Sequence, residues 1–123
     1  MNLFLVFLGG GLGSLARYGT GVLSKKVFET NFPYGTFISN ISSSFILGML
    51  VGWLALRATH QEPYRLLIAV GFCGGYSTFS SFTLETFEMM RTGNYLMASA
   101  NIFGSILICI VALWAGVQLT KYF

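Results

Sequence analysis

Apolar residues fill four stretches of this chain, and polar residues gather in the short gaps between them. The stretches run from about Asn2 to Val27, Tyr34 to Leu56, Arg65 to Arg91 and Tyr95 to Thr120. A helix that crosses a bilayer needs about 20 mainly apolar residues, and each stretch provides them. The gaps carry turn chemistry: Asn31-Phe32-Pro33-Tyr34-Gly35, then Ala58-Thr59-His60-Gln61-Glu62-Pro63, the most polar loop, then Thr92-Gly93-Asn94. Pro33 suits the first turn of the second helix, where a missing N–H costs nothing. Connections this short make consecutive helices antiparallel neighbours. The expected fold is an all-α integral membrane protein with four transmembrane helices in one domain, residues 1–123. The chain shows no internal repeat and no low-complexity tract.

One segment departs from the pattern. Gly71-Phe72-Cys73-Gly74-Gly75-Tyr76-Ser77-Thr78-Phe79-Ser80-Ser81-Phe82 lies inside the third apolar stretch yet is rich in glycine and hydroxyl residues. A helix that only crosses lipid has no use for that chemistry. Irregular backbone at membrane depth survives only where protein or water satisfies it. The segment therefore predicts a third helix broken at its centre, at a place of function. In the first stretch, Gly9 and Gly13 form a small face of the kind that brings membrane helices close.

Composition fits this reading. The chain has 123 residues, 54% hydrophobic and 9% charged, where a soluble domain carries about 25% charged residues. Mean hydropathy is +0.71. Four helices are too few to enclose a wide aqueous pore, so a transporter of this size calls for an oligomer. Leu3 to Leu8 lacks a basic flank, and no small-residue cleavage site follows, so it reads as a retained first span rather than a signal peptide. The net charge of +3 points to no nucleic-acid partner. The Lys25-Lys26 pair reads as an anchor at lipid head groups. Cys73 and Cys109 lie in apolar stretches and predict no disulfide framework. His60 stands alone in a polar loop, which leaves no Cys/His metal cluster and no Ser/His/Asp set. Gly71 to Gly75 lacks the Gly-Lys-Ser/Thr ending of a phosphate loop. The chain is not expected to be an enzyme.

Loop charge orients a membrane protein by the excess of Lys and Arg on one side. Here one side receives Arg57, Arg65 and Lys121 and the other Lys25, Lys26 and Arg91, three against three, with Arg17 counted as intramembrane. Either the protein inserts both ways and forms an antiparallel homodimer, or something weaker than loop charge sets its orientation.

Several side chains can carry chemistry. Asn40, in the first third of the second span, must find partners for its amide. It can donate to an anion, bind a nearby backbone N–H, or serve as glue between helices. Phe79 and Phe82 share a helix face. They either pack against lipid and core or line a path with their electropositive ring edges. Ser77, Thr78, Ser80, Ser81 and Thr83 surround them and either donate outward or bond to helix carbonyls. Asn101, Ser105 and Cys109 form a polar stripe on the fourth span, equally an ion track or a helix-contact seam. Arg17 can attract anions to a vestibule, pair with Glu85 or cap carbonyls. Glu88 and Arg91 are placed for a helix-end ion pair.

Three motifs in order resemble the Fluc (CrcB) fluoride channels: Gly9-Gly10-Gly11-Leu12-Gly13-Ser14-Leu15-Ala16-Arg17-Tyr18, Gly35-Thr36-Phe37-Ile38-Ser39-Asn40, and the Gly71 to Phe82 segment. The resemblance covers the whole chain. It implies a passive, fluoride-selective channel of the bacterial plasma (inner) membrane that exports toxic fluoride, built as an antiparallel dual-topology homodimer with two pores. It further implies a central structural sodium ion held by the backbone carbonyls of Gly74 and Ser77 from both subunits. By position, Asn40 would be the pore amide and Phe79 and Phe82 the aromatic lining. Ser80, Ser81 and Thr83 would be the nearby hydroxyls, Asn101 and Ser105 the polar track, and Arg17 the vestibule cation. Ser77 and Ser81 stand where the family usually has threonine. Both keep a hydroxyl, and a backbone ligand survives the change. Asn101 stands where an aromatic hydroxyl can occur, and Cys109 is a weak donor.

Two other readings stand beside this one. A small multidrug-resistance-type antiporter has a similar length, but it needs a carboxylate in a membrane span. The first span here has none, and Arg17 has the opposite sign. A non-transporting membrane subunit would explain the small-residue faces but not hydroxyls clustered beside paired phenylalanines.

Overall fold

Helices follow the apolar stretches closely. The computed structural model describes residues 1–28, 32–55 and 61–121. Helix α1 covers Asn2–Val27 and α2 covers Tyr34–Ala55. The third rod is composite: α3 (Gln61–Tyr64), a π-helical stretch (Arg65–Cys73), α4 (Gly74–Tyr76) and, after an interruption, α5 (Phe79–Arg91). Helix α6 covers Tyr95–Thr120. No strand occurs among the described residues. Arg57 of the charge balance, His60 and Asn31 lie outside the described residues.

Two boundaries differ from expectation. The third rod begins at Gln61, within the expected loop, rather than near Arg65. Pro63 needs no N–H in a first turn, Glu62 suits the positive end of a helix, and Arg65 Nη2 closes on Glu62 Oε1 at 2.8 Å. Pro33 sits one position before α2, and its carbonyl accepts the first helical bond, from Phe37 N–H at 3.1 Å. The turn at Thr92-Gly93-Asn94 ends α5 with paired bonds from Asn94 N–H to Met89 O (2.8 Å) and Gly93 N–H to Met90 O (3.1 Å). This cap needs a left-handed residue, and Gly93 supplies it at φ +85°.

Three helical runs among the described residues are long and apolar enough to cross a membrane: Tyr34–Ala55, Glu62–Arg91 and Tyr95–Thr120. Helix α1 has the length, 26 residues, or about 39 Å at 1.5 Å per residue. Its glycine cluster, Arg17 and Lys25-Lys26 dilute its hydropathy.

Burial is inverted relative to a soluble protein. Of the described residues, eight polar ones are buried (Ser39, Ser43, Thr86, Asn101 and Ser105 among them) against six apolar ones. Leu3, Phe7 and Leu15 on α1 and Phe103, Leu107 and Trp114 on α6 point outward. Water would not tolerate that surface, whereas lipid or a second apolar surface would.

Packing brings α1 against the π-helical stretch and α4, and α2 against α6. Past the interruption, the third rod leaves α1 and packs on α6. Both tight crossings use small residues. A Cβ on Gly13 would collide with Phe72 O and lie 2.8 Å from Tyr76 N, and one on Gly75 would lie 2.5 Å from Gly10 O. Between α2 and α6, a Cβ on Gly48 would strike Leu113 O and one on Gly116 would strike Phe45 O. These are backbone atoms and cannot swing aside. Gly11, on the same helix as Gly13, has nothing within 4 Å. Gly13→Ala should therefore destabilise the protein by about 1–3 kcal/mol, while Gly11→Ala should stay within about 0.5 kcal/mol of wild type. Thermal unfolding of the two variants in one detergent checks this, and equal midpoints would contradict it.

Candidate functional site

The third rod is interrupted at Ser77 and Thr78, both extended, at φ −79°, ψ 158° and φ −152°, ψ 120°. Asn40 on α2 spans the gap. Its Oδ1 accepts Thr78 N–H at 2.8 Å and its Nδ2 donates to Thr78 O at 3.3 Å. One side-chain amide thus satisfies both backbone groups of a residue that has left the helix, as an apolar setting demands. Thr78 then caps α5, its Oγ1 accepting Ser81 N–H at 3.1 Å. Ser43 and Cys73 tie the upstream side to α2: Ser43 Oγ donates to Cys73 O (3.1 Å) and Cys73 Sγ donates to Ser43 O (3.6 Å).

The interruption redirects two further donors. In a continuous helix, Gly74 O would accept Thr78 N–H and Ser77 O would accept Ser81 N–H. The first goes to Asn40 Oδ1 and the second to Thr78 Oγ1. Gly74 O and Ser77 O are thereby relieved of their helical donors. Carbonyl oxygens in that condition suit a hard cation. Among the described residues no group of His, Cys, Asp and Glu is placed to hold a metal.

An open groove of about 270 Å³ lies against the interruption, lined by Asn40, Ser44, Ser77, Thr78, Phe79, Phe82, Ser105, Ile106 and Cys109. The sequence candidates Asn40, Ser77, Phe79, Phe82 and Ser105 meet here. The Phe79 and Phe82 rings lie 5.8 Å apart at 41°, and Phe79 is 77% exposed. Three hydroxyls near the pair stay off the groove. Ser80 Oγ bonds Thr78 Oγ1 at 3.1 Å, Thr83 Oγ1 donates to Ser80 O at 2.9 Å on an exposed face, and Ser81 faces another cavity. Gly74 also lies outside the groove lining, as a carbonyl rather than a side-chain candidate.

The polar stripe on α6 divides. Ser105 and Cys109 line the groove. Asn101 is buried in the seam with α5, where its Nδ2 donates to Thr86 Oγ1 at 2.9 Å. Sequence reasoning passed over Thr86, Ser43 and Ser44. Thr86 carried a visible signal, a hydroxyl one turn beyond Phe82 in a membrane helix. Nothing local linked it to Asn101.

A second cavity, about 380 Å³, is lined by Arg17, Ser14, Lys25, Thr36, Ser81 and Glu85, with Phe28, Phe32 and Tyr34 among its aromatic walls. Phe28 and Tyr34 stack with centroids 4.3 Å apart. Arg17 and Glu85 share this cavity without forming an ion pair. The Glu85 Oε1 is buried without a hydrogen-bond partner among the described residues. Glu88 pairs instead with Arg91, at 2.6 Å. Thr36 and Asn40 are one turn apart on α2, and Ser81 and Phe82 adjoin on α5. Neighbouring residues at the α2–α5 boundary thus line the two cavities. The start of α5 adds partial positive charge there.

Known proteins place the chain. A family model described as CrcB-like protein, Camphor Resistance (CrcB), matches residues 4–117. A protein named fluoride-specific ion channel FluC 2 from Nitrobacter hamburgensis is 39% identical over 122 residues, 99% of this chain and 98% of that one. Fluoride-specific ion channel FluC from Caulobacter sp. strain K31 is 42% identical over 121 residues, 98% and 94% of the two chains. The protein of that name from Coxiella burnetii is 42% identical over 122 residues, 98% of each. With matches along nearly its whole length, the chain belongs to the CrcB family.

Proposed function

We propose that this protein is a passive channel for fluoride in a bacterial plasma membrane, with export of toxic fluoride as its task. The observation that carries the reading is the interruption held by Asn40 beside a groove that gathers Phe79, Phe82 and Ser105, in a chain of the same family as proteins named for fluoride conduction. It transports an ion and catalyses no reaction.

Helix α1 serves as the fourth span, its Arg17 facing the aqueous end of a pathway. Two copies pair antiparallel through apolar faces that the single chain leaves outward, giving two pores. The balanced loop charge supports this arrangement. At the centre, the Gly74 and Ser77 carbonyls of both copies would hold a sodium ion, which would supply a fixed positive charge beside the interruption. The redirected donors at those two carbonyls support this site.

Fluoride enters the cavity lined by Arg17 and Ser81. It sheds water against hydroxyls and passes along the α2–α5 boundary into the groove of Asn40, Phe79, Phe82 and Ser105. Asn40 Nδ2 keeps a second hydrogen beyond the one given to Thr78 O, and the ring edges add weak positive potential. No full charge lines the groove, so the ion is not trapped, and conduction needs binding that permits both entry and exit. Purified protein in liposomes should release fluoride rapidly and chloride not at all. A folded protein that releases no fluoride would leave the non-transporting reading in its place.

A further inference from the structure

Thr86 lines neither cavity. It is 7% exposed, Asn101 2% and Ser105 6%. The three form one chain of hydrogen bonds: Ser105 Oγ donates to Asn101 Oδ1 at 3.3 Å, Asn101 Nδ2 donates to Thr86 Oγ1 at 2.9 Å, and Thr86 Oγ1 donates to Phe82 O at 2.8 Å. A threonine hydroxyl has one proton. Because that proton goes to Phe82 O, Thr86 can only accept from Asn101. The Asn101 amide must then turn its NH2 toward Thr86 and its oxygen toward Ser105. The network sets this orientation, since the two ends of an amide have nearly the same shape. Ser105 is left as the donor of the last bond. Its proton points into the seam, and the groove it lines meets only its lone pairs.

We infer that Thr86 is a positioning residue that, through Asn101, turns the Ser105 hydroxyl proton away from the groove, so that Ser105 does not grip a passing anion. This rests on the channel reading. Without the Thr86 hydroxyl, the amide is free to turn over, Asn101 Nδ2 donates to Ser105 Oγ, and the Ser105 proton faces the groove. One added donor holds fluoride more tightly there and slows its exit.

The test is fluoride efflux from liposomes as a function of internal fluoride, for wild type, Thr86→Val, Thr86→Ser, Ser105→Ala and the Thr86→Val/Ser105→Ala double variant. Thr86→Val should lower both the half-saturating fluoride concentration and the maximal flux by about three- to tenfold, the span of one neutral hydrogen bond. Thr86→Ser should restore both. In the Ser105→Ala background, Thr86→Val should produce no shift, because the transmitting hydroxyl is gone. A shift that survives there, or a Thr86→Val protein with wild-type half-saturation, overturns the inference. Thr86→Ala replaces Thr86→Val in the same cycle should the valine protein not fold. A wild-type protein without fluoride efflux overturns the channel reading and this inference with it. A conducting wild type beside an unshifted Thr86→Val overturns the inference alone.

Discussion

Asn40→Leu is expected to reduce fluoride efflux to the level of protein-free liposomes. Leucine keeps asparagine's branched shape and number of side-chain heavy atoms, so the change chiefly removes hydrogen bonds. It orphans Thr78 N–H and Thr78 O, which Asn40 now engages at 2.8 and 3.3 Å. Each buried backbone group left unpaired costs about 1–3 kcal/mol, and the bilayer offers no water to replace the partner. The cheapest escape is for Thr78 to rejoin the helix, donating to Gly74 O. That would close the interruption, reoccupy one proposed sodium ligand and carry Phe79 and Phe82 out of the groove. The expected signature is loss of flux together with a lowered unfolding midpoint in detergent. Wild-type efflux from Asn40→Leu would mean that the Asn40–Thr78 bonds do not maintain the pathway.

That prediction depends on a contact no local pattern could disclose. The segment from Gly71 to Phe82 announces an interruption, because glycines and hydroxyls at membrane depth conflict with a plain helix. Its partner Asn40 lies 38 positions away, and pairing across that distance is decided by how α2 lies against the third rod. The ends of α1 and α6 were legible for the opposite reason: apolar length and flanking turn residues act locally. The turn at Gly93 is of the same kind. The π-helical stretch Arg65–Cys73 was not legible, since side chains along an almost wholly apolar run show no period that separates i+4 from i+5 bonding. The stripe Asn101, Ser105, Cys109 was readable as a stripe, but its division was not. Asn101 faces the seam because Thr86 waits there, while Ser105 one turn on reaches the groove. Arg17 and Glu85 show a further limit. Sequence distance left their pairing open, and the fold sets them in one cavity without an ion pair.

Phe79→Ile and Phe82→Ile should each cut fluoride efflux by about two- to twelvefold while the protein remains folded. The separation of the two effects follows from where the rings sit. Phe79 is 77% exposed in the single chain, so its removal takes little from the packing of the protomer. Phe82 lies partly under cover beside it, 5.8 Å between centroids. Isoleucine keeps the surface apolar and roughly fills the space, but it has no ring quadrupole and offers no electropositive edge. An edge contributes about 0.5–1.5 kcal/mol in favourable geometry, which converts to about two- to twelvefold per ring. Two rings along one path would act on the same ion in succession, so the double variant should conduct less than either single one. Efflux measured beside the elution profile and unfolding midpoint of each variant separates loss of the pathway from loss of the fold. Folded single variants that both conduct as wild type would remove the rings from the pathway and leave them as lipid-facing or dimer-facing surface.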